Sequence, residues 1–403
     1  MGIASGIFKV LTVAKQTGLG VPKTGTGGTS LPRTSSNLDL KKASYTSATI
    51  KASQQRSDMR HGLRSVDGTI SGELNVGVYQ LMESSVLRQA WQSAASTGSI
   101  AVITAAPTSP QFVRSAGSFL TDLLKVGDVI RWSGFTATAN NDKNFLITAL
   151  TATDMTGIFL NADAVVAEAE GGSVTGTIQG KKTWIPQANH TRDYYSIEHF
   201  HSDVLQSELF TDCMLGQMTI NLPATGMATI DFPAMGLNMT PGTSQVLTTP
   251  TAATEGGNIA AVNGALYVAG VAVGLITGMN ITVNGNVTAP GGVIGSNVDP
   301  DLFPGAFNVT GTATVYFQDA VMRDLFLNET EVVVIAAFTA GEEGDADFKT
   351  YVMPRVKFSS ASKDDGEKGL IQTMGFEAIE NIAGGTGTDS EATTIVIQDS
   401  LAA

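Results

Sequence analysis

The feature that most constrains the fold of this chain is a series of short segments in which apolar and polar residues alternate. Successive side chains of a β-strand point to opposite faces, so this period of two predicts half-buried strands. The predicted strands span residues 69–74, 124–133, 144–150, 156–160, 195–201, 214–222, 227–232, 311–317, 331–338, 348–358, 370–378 and 392–399.

Helix-forming patterns are scarce in the sequence. The 403 residues include 44 glycines and only 15% are charged, a composition that suits strands and turns better than helices. One amphipathic helix is predicted over residues 76–91, and a second over residues 319–327 with Asp319 as its N-cap. The chain is therefore predicted to be mainly β, with an antiparallel β-sandwich or barrel core and about two helices.

Shifts in composition along the chain predict three parts. Residues 1–66 are rich in turn-forming residues and carry ten Lys and Arg against two acids, which predicts an extended basic N-terminal arm. Residues 99–180 hold several closely spaced strands and are predicted to form an inserted small β-barrel-like domain. The core β-sandwich is then expected to combine residues 67–98 with residues 181–403.

The charge of the chain limits the partners that it can bind. A net charge of −13 argues against a nucleic-acid-gripping surface, which needs Lys and Arg to neutralise phosphates. The basic arm could bind nucleic acid or dock on the acidic body of an identical neighbour. Tyr45 is its only interleaved aromatic residue, which favours docking.

Residues 264–281 are uncharged and imitate a membrane-spanning helix. Their four glycines and their alternating continuation indicate instead two strands, residues 265–269 and 271–282, with a turn at Gly270. Near the start, Lys9 and Lys15 interrupt a short apolar run that makes a poor signal peptide. The sequence predicts no association with a membrane.

The best candidate for metal chemistry is a histidine pair. His199 and His201 lie two residues apart on a predicted strand, so they point to one face, and Asp203 is the nearest acidic ligand. Exposed histidines on strands are common, and we interpret this pair as structural or as part of an interface. Cys213 is the single cysteine and is interpreted as a small buried hydrophobe.

Other patterns typical of catalysis are absent from the sequence. The acid pairs at residues 342–343 and 364–365 lie in predicted loop tips, where solvation keeps both carboxylates ionised. The glycine-rich residues 25–30 and 384–390 lack the lysine of a phosphate-binding loop. We therefore predict no catalytic, cofactor-binding or metal-binding residue, no cofactor, and no enzymatic activity.

The order of these elements resembles the tail tube proteins of long-tailed, non-contractile bacteriophages. The segment SELFTDCMLGQMTINLPATGMATIDFPAMG, residues 207–236, is similar to a strand pair of that family. The segments NGALYVAG, ITGMNITVNGNV, VTGTATVYFQD, YVMPRVKF and GLIQTMGFEA look like its closing strands. Residues 126–160 are similar to a small β module inserted in such proteins. The resemblance covers the chain from residue 63 onward.

This resemblance implies a structural virion protein. Six copies would join into a ring, and stacked rings would form a hollow tube with an acidic bore, through which DNA is ejected without specific binding. Implied partners are further copies of the chain together with tape-measure, tail-terminator and tail-tip proteins. The implied location is the phage tail, assembled in the cytoplasm of the bacterial host. The arm fits contacts between rings, and residues 99–180 are expected to decorate the outside.

Two other classes of function stay open at the level of sequence. A β-rich phage adhesin, receptor-binding protein or minor tail protein would share this composition but would form a trimer with an exposed aromatic platform. A metal-dependent hydrolase would use His199, His201 and Asp203 and would bind stoichiometric metal.

Overall fold

A computed structural model describes residues 3–93, 95–273, 276–317, 321–364 and 369–402 of the chain. The predicted fold class is confirmed, because the chain is mainly β with two α-helices and antiparallel sheets, one of which curls into a half-barrel. Single turns of 3₁₀-helix lie at Gly6–Phe8, Thr138–Asn140 and Ala261–Asn263.

The strands are numbered in chain order. The first fifteen are β1 (Lys9–Lys15), β2 (Gly25–Thr26), β3 (Thr29–Ser30), β4 (Ser35–Ser36), β5 (Asp39–Thr46), β6 (Met59–Glu73), β7 (Ile103–Ala105), β8 (Phe112–Arg114), β9 (Val129–Ser133), β10 (Phe145–Leu150), β11 (Asp154–Phe159), β12 (Glu168–Gly171), β13 (Thr175–Ile178), β14 (Lys181–Trp184) and β15 (Tyr195–His201). The others are β16 (Gln206–Leu215), β17 (Gln217–Pro223), β18 (Thr229–Gly236), β19 (Asn238–Gly242), β20 (Leu247–Thr248), β21 (Thr251–Ala252), β22 (Gly264–Val268), β23 (Val271–Ala272), β24 (Ile276–Asn284), β25 (Asn308–Tyr316), β26 (Val332–Thr339), β27 (Phe348–Lys363), β28 (Ile371–Ala378) and β29 (Val396–Asp399). The helices are α1 (Gln80–Leu87) and α2 (Val321–Leu327).

The curled sheet runs without a break through eleven strands, in the order β5, β6, β18, β17, β24, β25, β28, β27, β26, β22 and β23. One face of this sheet lies on the core and carries the apolar half of each alternating pattern, including Ile220, Ile230 and Ile281, which are fully buried. Strands β1, β15, β16 and β19 form the second layer, and β16 joins the two layers because it also pairs with β18. Helix α1 packs against β14, β16 and β17.

The N-terminal segment differs from the extended arm suggested by its composition. Strand β1 pairs with β15 along its whole length and also with β3, and its residues 11–14 are buried. The four consecutive residues LTVA are buried on both faces of the strand, so they show no alternation. This short run is hard to recognise in the sequence because the residues around it are typical of turns. Residues 39–65 form a projecting hairpin of β5 and the first half of β6.

Helix α1 is shorter than the pattern predicts. The segment predicted as a helix over residues 76–91 is helical only in α1, because Gly77 and Arg88, with φ of +89° and +58°, bound the helix with non-helical backbone. Helix α2 lies within the second predicted helix, but its expected N-cap, Asp319, lies outside the described residues.

The strand predicted over residues 214–222 is two strands, β16 and β17, which meet at Gly216. A Cβ atom at residue 216 would come within 2.5 Å of the Val287 side chain, so the break requires glycine. The predicted strand over residues 271–282 is likewise divided between β23 and β24, and residues 274–275 lie outside the described ranges.

Seven strands between residues 103 and 178 form a separate sheet, in the order β12, β7, β8, β11, β10, β9 and β13. This sheet has its own apolar core, where the ring centroids of Phe112 and Trp132 lie 4.8 Å apart and Phe145 meets Phe112 edge-on at 4.9 Å. Residues 99–180, which contain it, are called the insertion below.

The insertion is docked on the outside of β27 and β29 by apolar and ionic contacts. Val129 and Leu146 of the insertion pack with Phe348, Val352 and Val396 of the curled sheet. In the same interface, Lys182 Nζ lies 2.9 Å from Asp128 Oδ1 and 3.3 Å from Glu391 Oε1. Burial raises the pKa of the Asp128 carboxyl, so the ammonium of Lys182 is what keeps that carboxylate ionised.

Removing the lysine from this cluster is expected to destabilise the protein strongly. A Lys182→Ala substitution leaves Asp128 buried without its cation, and losses of about 3–5 kcal/mol in the free energy of unfolding are typical of such a change. Urea denaturation measures the loss. The control is Arg323→Ala, which removes an ion pair with Asp324 whose side chains are both almost half exposed, and its effect is expected to stay below about 1 kcal/mol. Equal losses of unfolding free energy in the two variants would contradict the view that the ion pair of Lys182 with Asp128 stabilises this interface.

Candidate assembly surfaces

The face of the curled sheet that points away from the core is polar, and its charged groups are acidic. The same alternation that buries one face of β6, β18, β17, β24, β25 and β28 turns hydroxyl and amide side chains to the other. These side chains, in strand order, are Thr69, Ser71, Thr229, Thr219, Asn221, Asn280, Thr282, Thr310, Thr312, Thr314 and Thr373. We call this set the threonine face.

Side chains of the threonine face hold one another in place across strands. The hydroxyl oxygens of Thr219 and Thr282 lie 3.3 Å apart, and Thr314 accepts a hydrogen bond at 2.9 Å from the hydroxyl of Thr277, which lies next to the face at a register shift of β24. Such cross-strand pairs stabilise the sheet. They also satisfy part of the hydrogen-bonding capacity of the hydroxyl groups, so the face offers little to bind a passing molecule tightly.

The ionised groups on this face are acidic. They are Asp67, Glu73, Asp231 and Glu377. No lysine or arginine occurs in the strand segments that form the face, which are residues 65–73, 217–223, 229–236, 276–284, 308–316 and 371–378. The nearest cations are at its margins, where Lys41 lies 3.5 Å from Asp67 and Lys357 pairs with Glu331. The face therefore presents a negative potential.

Sequence reasoning located most of these strands but missed the face that they share. The signal was available, because the polar positions of TINL, TIDF, NITVN and VTGTATV are threonine, asparagine and aspartate, with no lysine or arginine among them. What a single strand cannot show is register, and the face exists only because the ladders place Thr219 opposite both Asp231 and Thr282.

Both edges of the curled sheet are open in the described part of the chain. Strand β5 pairs with β6 alone, and at the other end the short β23 pairs with β22 alone. Exposed strand edges expose unpaired N–H and C=O groups, and they template pairing with another chain unless they are covered. Strand β5 is exposed at all but one of its eight residues.

The projecting hairpin, residues 39–65, concentrates the positive charge of the chain. It carries Lys41, Lys42, Lys51, Arg56, Arg60 and Arg64 against two acids. Lys42, Lys51 and Arg56 form no ion pair with the described residues. The hairpin also exposes apolar side chains, since Ile50 is 97% exposed and Tyr45 is 61% exposed. Uncompensated charge next to exposed apolar surface is typical of a contact site.

The acidic counterpart is the loop between β26 and β27, at residues 340–347. The loop leans on the insertion, where Arg131 donates to the Asp345 carbonyl oxygen and Asn144 to that of Ala346. Glu342 and Glu343 are exposed and form no ion pair with any described residue. The predicted acid pair at residues 364–365 is placed only in part, because residues 365–368 lie outside the described ranges.

The histidines and Asp203 do not converge. His199 is buried and its Nε2 lies 2.7 Å from the Ser36 hydroxyl, whereas the Asp203 carboxylate accepts a hydrogen bond from the Ser5 N–H at 2.6 Å. His201 shares the face of His199, and its buried Nδ1 has no partner among the described residues. No group of three His, Cys, Asp or Glu suited to a metal occurs within the described part of the chain.

Two further side chains fill structural positions. Cys213 is fully buried in the main core, and burial raises the pKa of its thiol, so it stays protonated. Glu198, which no sequence pattern singles out, is also fully buried and accepts hydrogen bonds from the Val246 and Leu247 N–H groups and the Ser207 hydroxyl. Neither helix of the described residues is long and apolar enough to cross a bilayer.

A family model described as Phage tail tube protein matches residues 9–378, which include the curled sheet, both open edges and the insertion. The chain belongs to this family. The resemblance read from the sequence is thereby confirmed. A search of the curated proteins finds no matching sequence.

Membership of the tail tube family gives the chain a structural role in a phage tail, since this is not an enzyme family. Self-assembly and contacts with other tail proteins follow in general terms. The open sheet edges and the charged hairpin are the surfaces of this tail tube protein that have the properties such contacts need.

The buried His199 makes the stability of the tail tube protein depend on pH. Burial, with Lys9 and Arg33 nearby, lowers the pKa of His199 to about 3. An unfolded chain binds that proton near pH 6.5, so stability is complete above this pH and falls by about 1.4 kcal/mol per unit as the pH drops toward 3. Urea titrations from pH 7 to pH 4 are expected to show a shallower slope for His199→Gln. The exposed His61→Gln is the control, and a slope unchanged by His199→Gln would contradict the assignment.

Proposed function

We propose that this protein closes into rings, six copies to a ring, that stack into the tube of a non-contractile phage tail, with the threonine face lining the bore. The observation that carries the proposal is this face itself. It is a broad, curved sheet surface that is mostly polar, its charged groups are acidic, and the strand segments that form it contain no Lys or Arg.

The chemistry of the face suits the passage of DNA. A duplex carries about one negative charge per 1.7 Å of its axis and binds wherever cations can replace its counterions. Asp67, Asp231 and Glu377 repel the phosphates, and paired hydroxyl groups give bases and sugars few free partners. DNA therefore slides through such a bore without being held.

Ring closure follows from the open edges. A strand edge on one copy would pair with the edge of a neighbour, so that the half-barrels of successive copies merge into one continuous barrel without free edges. Strand β5 at one end of the sheet and the β22–β23 hairpin at the other supply the two borders. Because the two borders differ, the contact is head-to-tail, which is the kind that closes a ring by rotation.

Stacking would use the charged hairpin. Residues 39–65 carry unpaired cations, and the loop at residues 340–347 carries unpaired Glu342 and Glu343, so the two fit as complementary surfaces on successive rings. The exposed Ile50 adds apolar area at the tip of the hairpin. In this arrangement the basic residues of the hairpin contact a neighbouring ring and do not face the DNA in the bore.

The insertion is proposed as a separate inserted domain that decorates the outside of the tube. It packs on Phe348 and Val352 of β27 and on β29, whereas β27 pairs with the threonine face strand β28 only from Val356 onward. Tape-measure, tail-terminator and tail-tip proteins are proposed as further partners, and assembly is proposed to occur in the cytoplasm of the bacterial host. Passive conduction of DNA requires no catalytic residue.

Electron microscopy of the concentrated purified protein tests the assembly directly. Rings of six copies, or tubes built from them, are the expected result. A trimer with no further assembly at any protein concentration would instead support an adhesin and would overturn the proposal.

The position of the threonine face is tested by labelling. In Thr312→Cys the new thiol lies on the threonine face, while the native Cys213 is buried and does not compete. Gold-cluster maleimide, attached before assembly, is expected to appear on the tube axis in micrographs. Ala152→Cys, on the exposed surface of the insertion, is the matched control and is expected to place gold on the outer wall. Gold from both variants on the outer wall would show that another surface lines the bore.

Charge reversal tests the hairpin. The double variant Lys51→Glu with Arg56→Glu should keep the fold, since both side chains are exposed and form no ion pair with described residues, but should stop tube growth. Circular dichroism checks the fold and sedimentation measures assembly at 0.05 to 0.5 M salt. Arg323→Glu on α2 is the comparison for charge alone, and it is expected to assemble normally. Normal tubes from the double variant would exclude the hairpin from stacking.

A further inference from the structure

A lysine and two carboxylic acids meet in the interior between helix α1 and strands β27 and β29. Lys349 on β27 lies directly opposite Asp399 on β29 in the antiparallel ladder. The Lys349 Nζ lies 3.0 Å from Asp399 Oδ2, and 2.8 Å and 2.9 Å from the two carboxylate oxygens of Glu83 on α1. The side chains of all three residues are fully buried. We call these residues the buried triad.

The surroundings of the buried triad hold the Asp399 carboxyl in one orientation. Its Oδ1 accepts a hydrogen bond from the Leu401 N–H at 2.9 Å, and its Oδ2 accepts one from the Gly77 N–H at 3.0 Å. The fully buried ring of Tyr351 lies two residues along β27 from Lys349, on the same face. Water is thus excluded, and the reacting groups are already in contact.

The charge balance of the buried triad makes a persistent ion pair costly. One ammonium cannot neutralise two carboxylates, so a net negative charge would remain in the interior. Burying such a charge away from water is energetically unfavourable. Burial raises the pKa of the Glu83 carboxyl and the ammonium of Lys349 lowers it, while Asp399 faces the same ammonium across the ladder. An amine reacts only after its ammonium has passed one proton to a carboxylate in contact with it, which leaves a neutral amine beside a neutral acid.

We propose that Lys349 and Asp399 condense into an intramolecular isopeptide bond, with Glu83 as the catalytic proton carrier. The inference concerns the single chain and does not depend on the assembly of rings.

The step balances within the three side chains. The lone pair of Lys349 Nζ attacks the Cγ of Asp399 and forms the C–N bond, while the developing negative charge on Oδ1 is stabilised by the Leu401 N–H. Glu83 takes a proton from the amine nitrogen and passes one to the departing oxygen. The C–O bond to Oδ2 then breaks and one water molecule leaves. Glu83 ends as it began, and no oxidant, reductant or other reactant is consumed.

The second lysine cluster provides an internal comparison. Lys182 also contacts two carboxyls, Asp128 and Glu391, but the side chains of Lys182 and Glu391 are 8% and 17% exposed. Water reaches that cluster and keeps its charges separated, so it is expected to remain an ordinary ion pair. The covalent link is assigned to the buried triad alone.

The intact mass of the purified full chain decides the question. A linked chain is lighter than its sequence by one water molecule, and digestion yields one branched peptide that joins the Lys349 segment to the Asp399 segment. A chain with the full sequence mass, and with separate peptides at both sites, would overturn the proposal. A water loss mapped to Lys182 would overturn it as well.

Variants separate the chemistry from the packing. Asp399→Asn would lose ammonia in place of water, so its linked product is expected to have the same mass as the linked native chain. Glu83→Gln should keep the side-chain volume but lack the proton carrier, so its chain is expected to keep its full mass. Lys349→Arg retains a cation that does not condense and serves as the matched control. A Glu83→Gln chain that links as fully as the native protein would remove Glu83 from the mechanism.

Discussion

The two-sided character of the curled sheet is the constraint on which the rest of the structure depends. Each strand gives its apolar side chains to the core and its hydroxyl and amide side chains to the outside, so a shift of one residue in any ladder would exchange the two. The core is therefore what fixes the outer face. Ile220 and Ile281 are buried opposite one another, and for that reason Thr219 and Thr282 stand side by side on the surface.

Alternation in the sequence was sufficient to predict the fold class and the position of most strands. Tyr195–His201 was predicted to the residue, because both of its ends are marked by polar turns. Strand β1 was hidden, since its buried residues are too few to stand out from basic, turn-rich flanks. Helix α1 was overextended because Trp91 continues the apolar period, although its indole in fact folds back and donates to the Gln80 carbonyl oxygen.

The candidate surfaces were less predictable than the fold, and the reason is physical. Net charge and the basic bias of the first 66 residues could be read directly, but which charges face each other depends on ladders between strands far apart in the sequence. Glu83, Lys349 and Asp399 are separated by 266 and 50 residues and show no local motif. Only the pairing of β27 with β29 brings the lysine and the aspartate together.

Gln398 joins the insertion to strand β29 by hydrogen bonds, in addition to the apolar packing between them. Its side-chain amide accepts a hydrogen bond from the Val129 N–H at 2.9 Å and donates to the Val129 and Gln179 carbonyl oxygens, at 2.9 Å and 2.8 Å. The side-chain amide of Gln398 thus takes the place of a backbone hydrogen-bond partner for strand β9, which begins 269 residues earlier in the chain. If the insertion were removed or transferred to another protein without Gln398, these backbone groups would lose their hydrogen-bond partner. An exchange of the insertion between relatives therefore has to include residue 398.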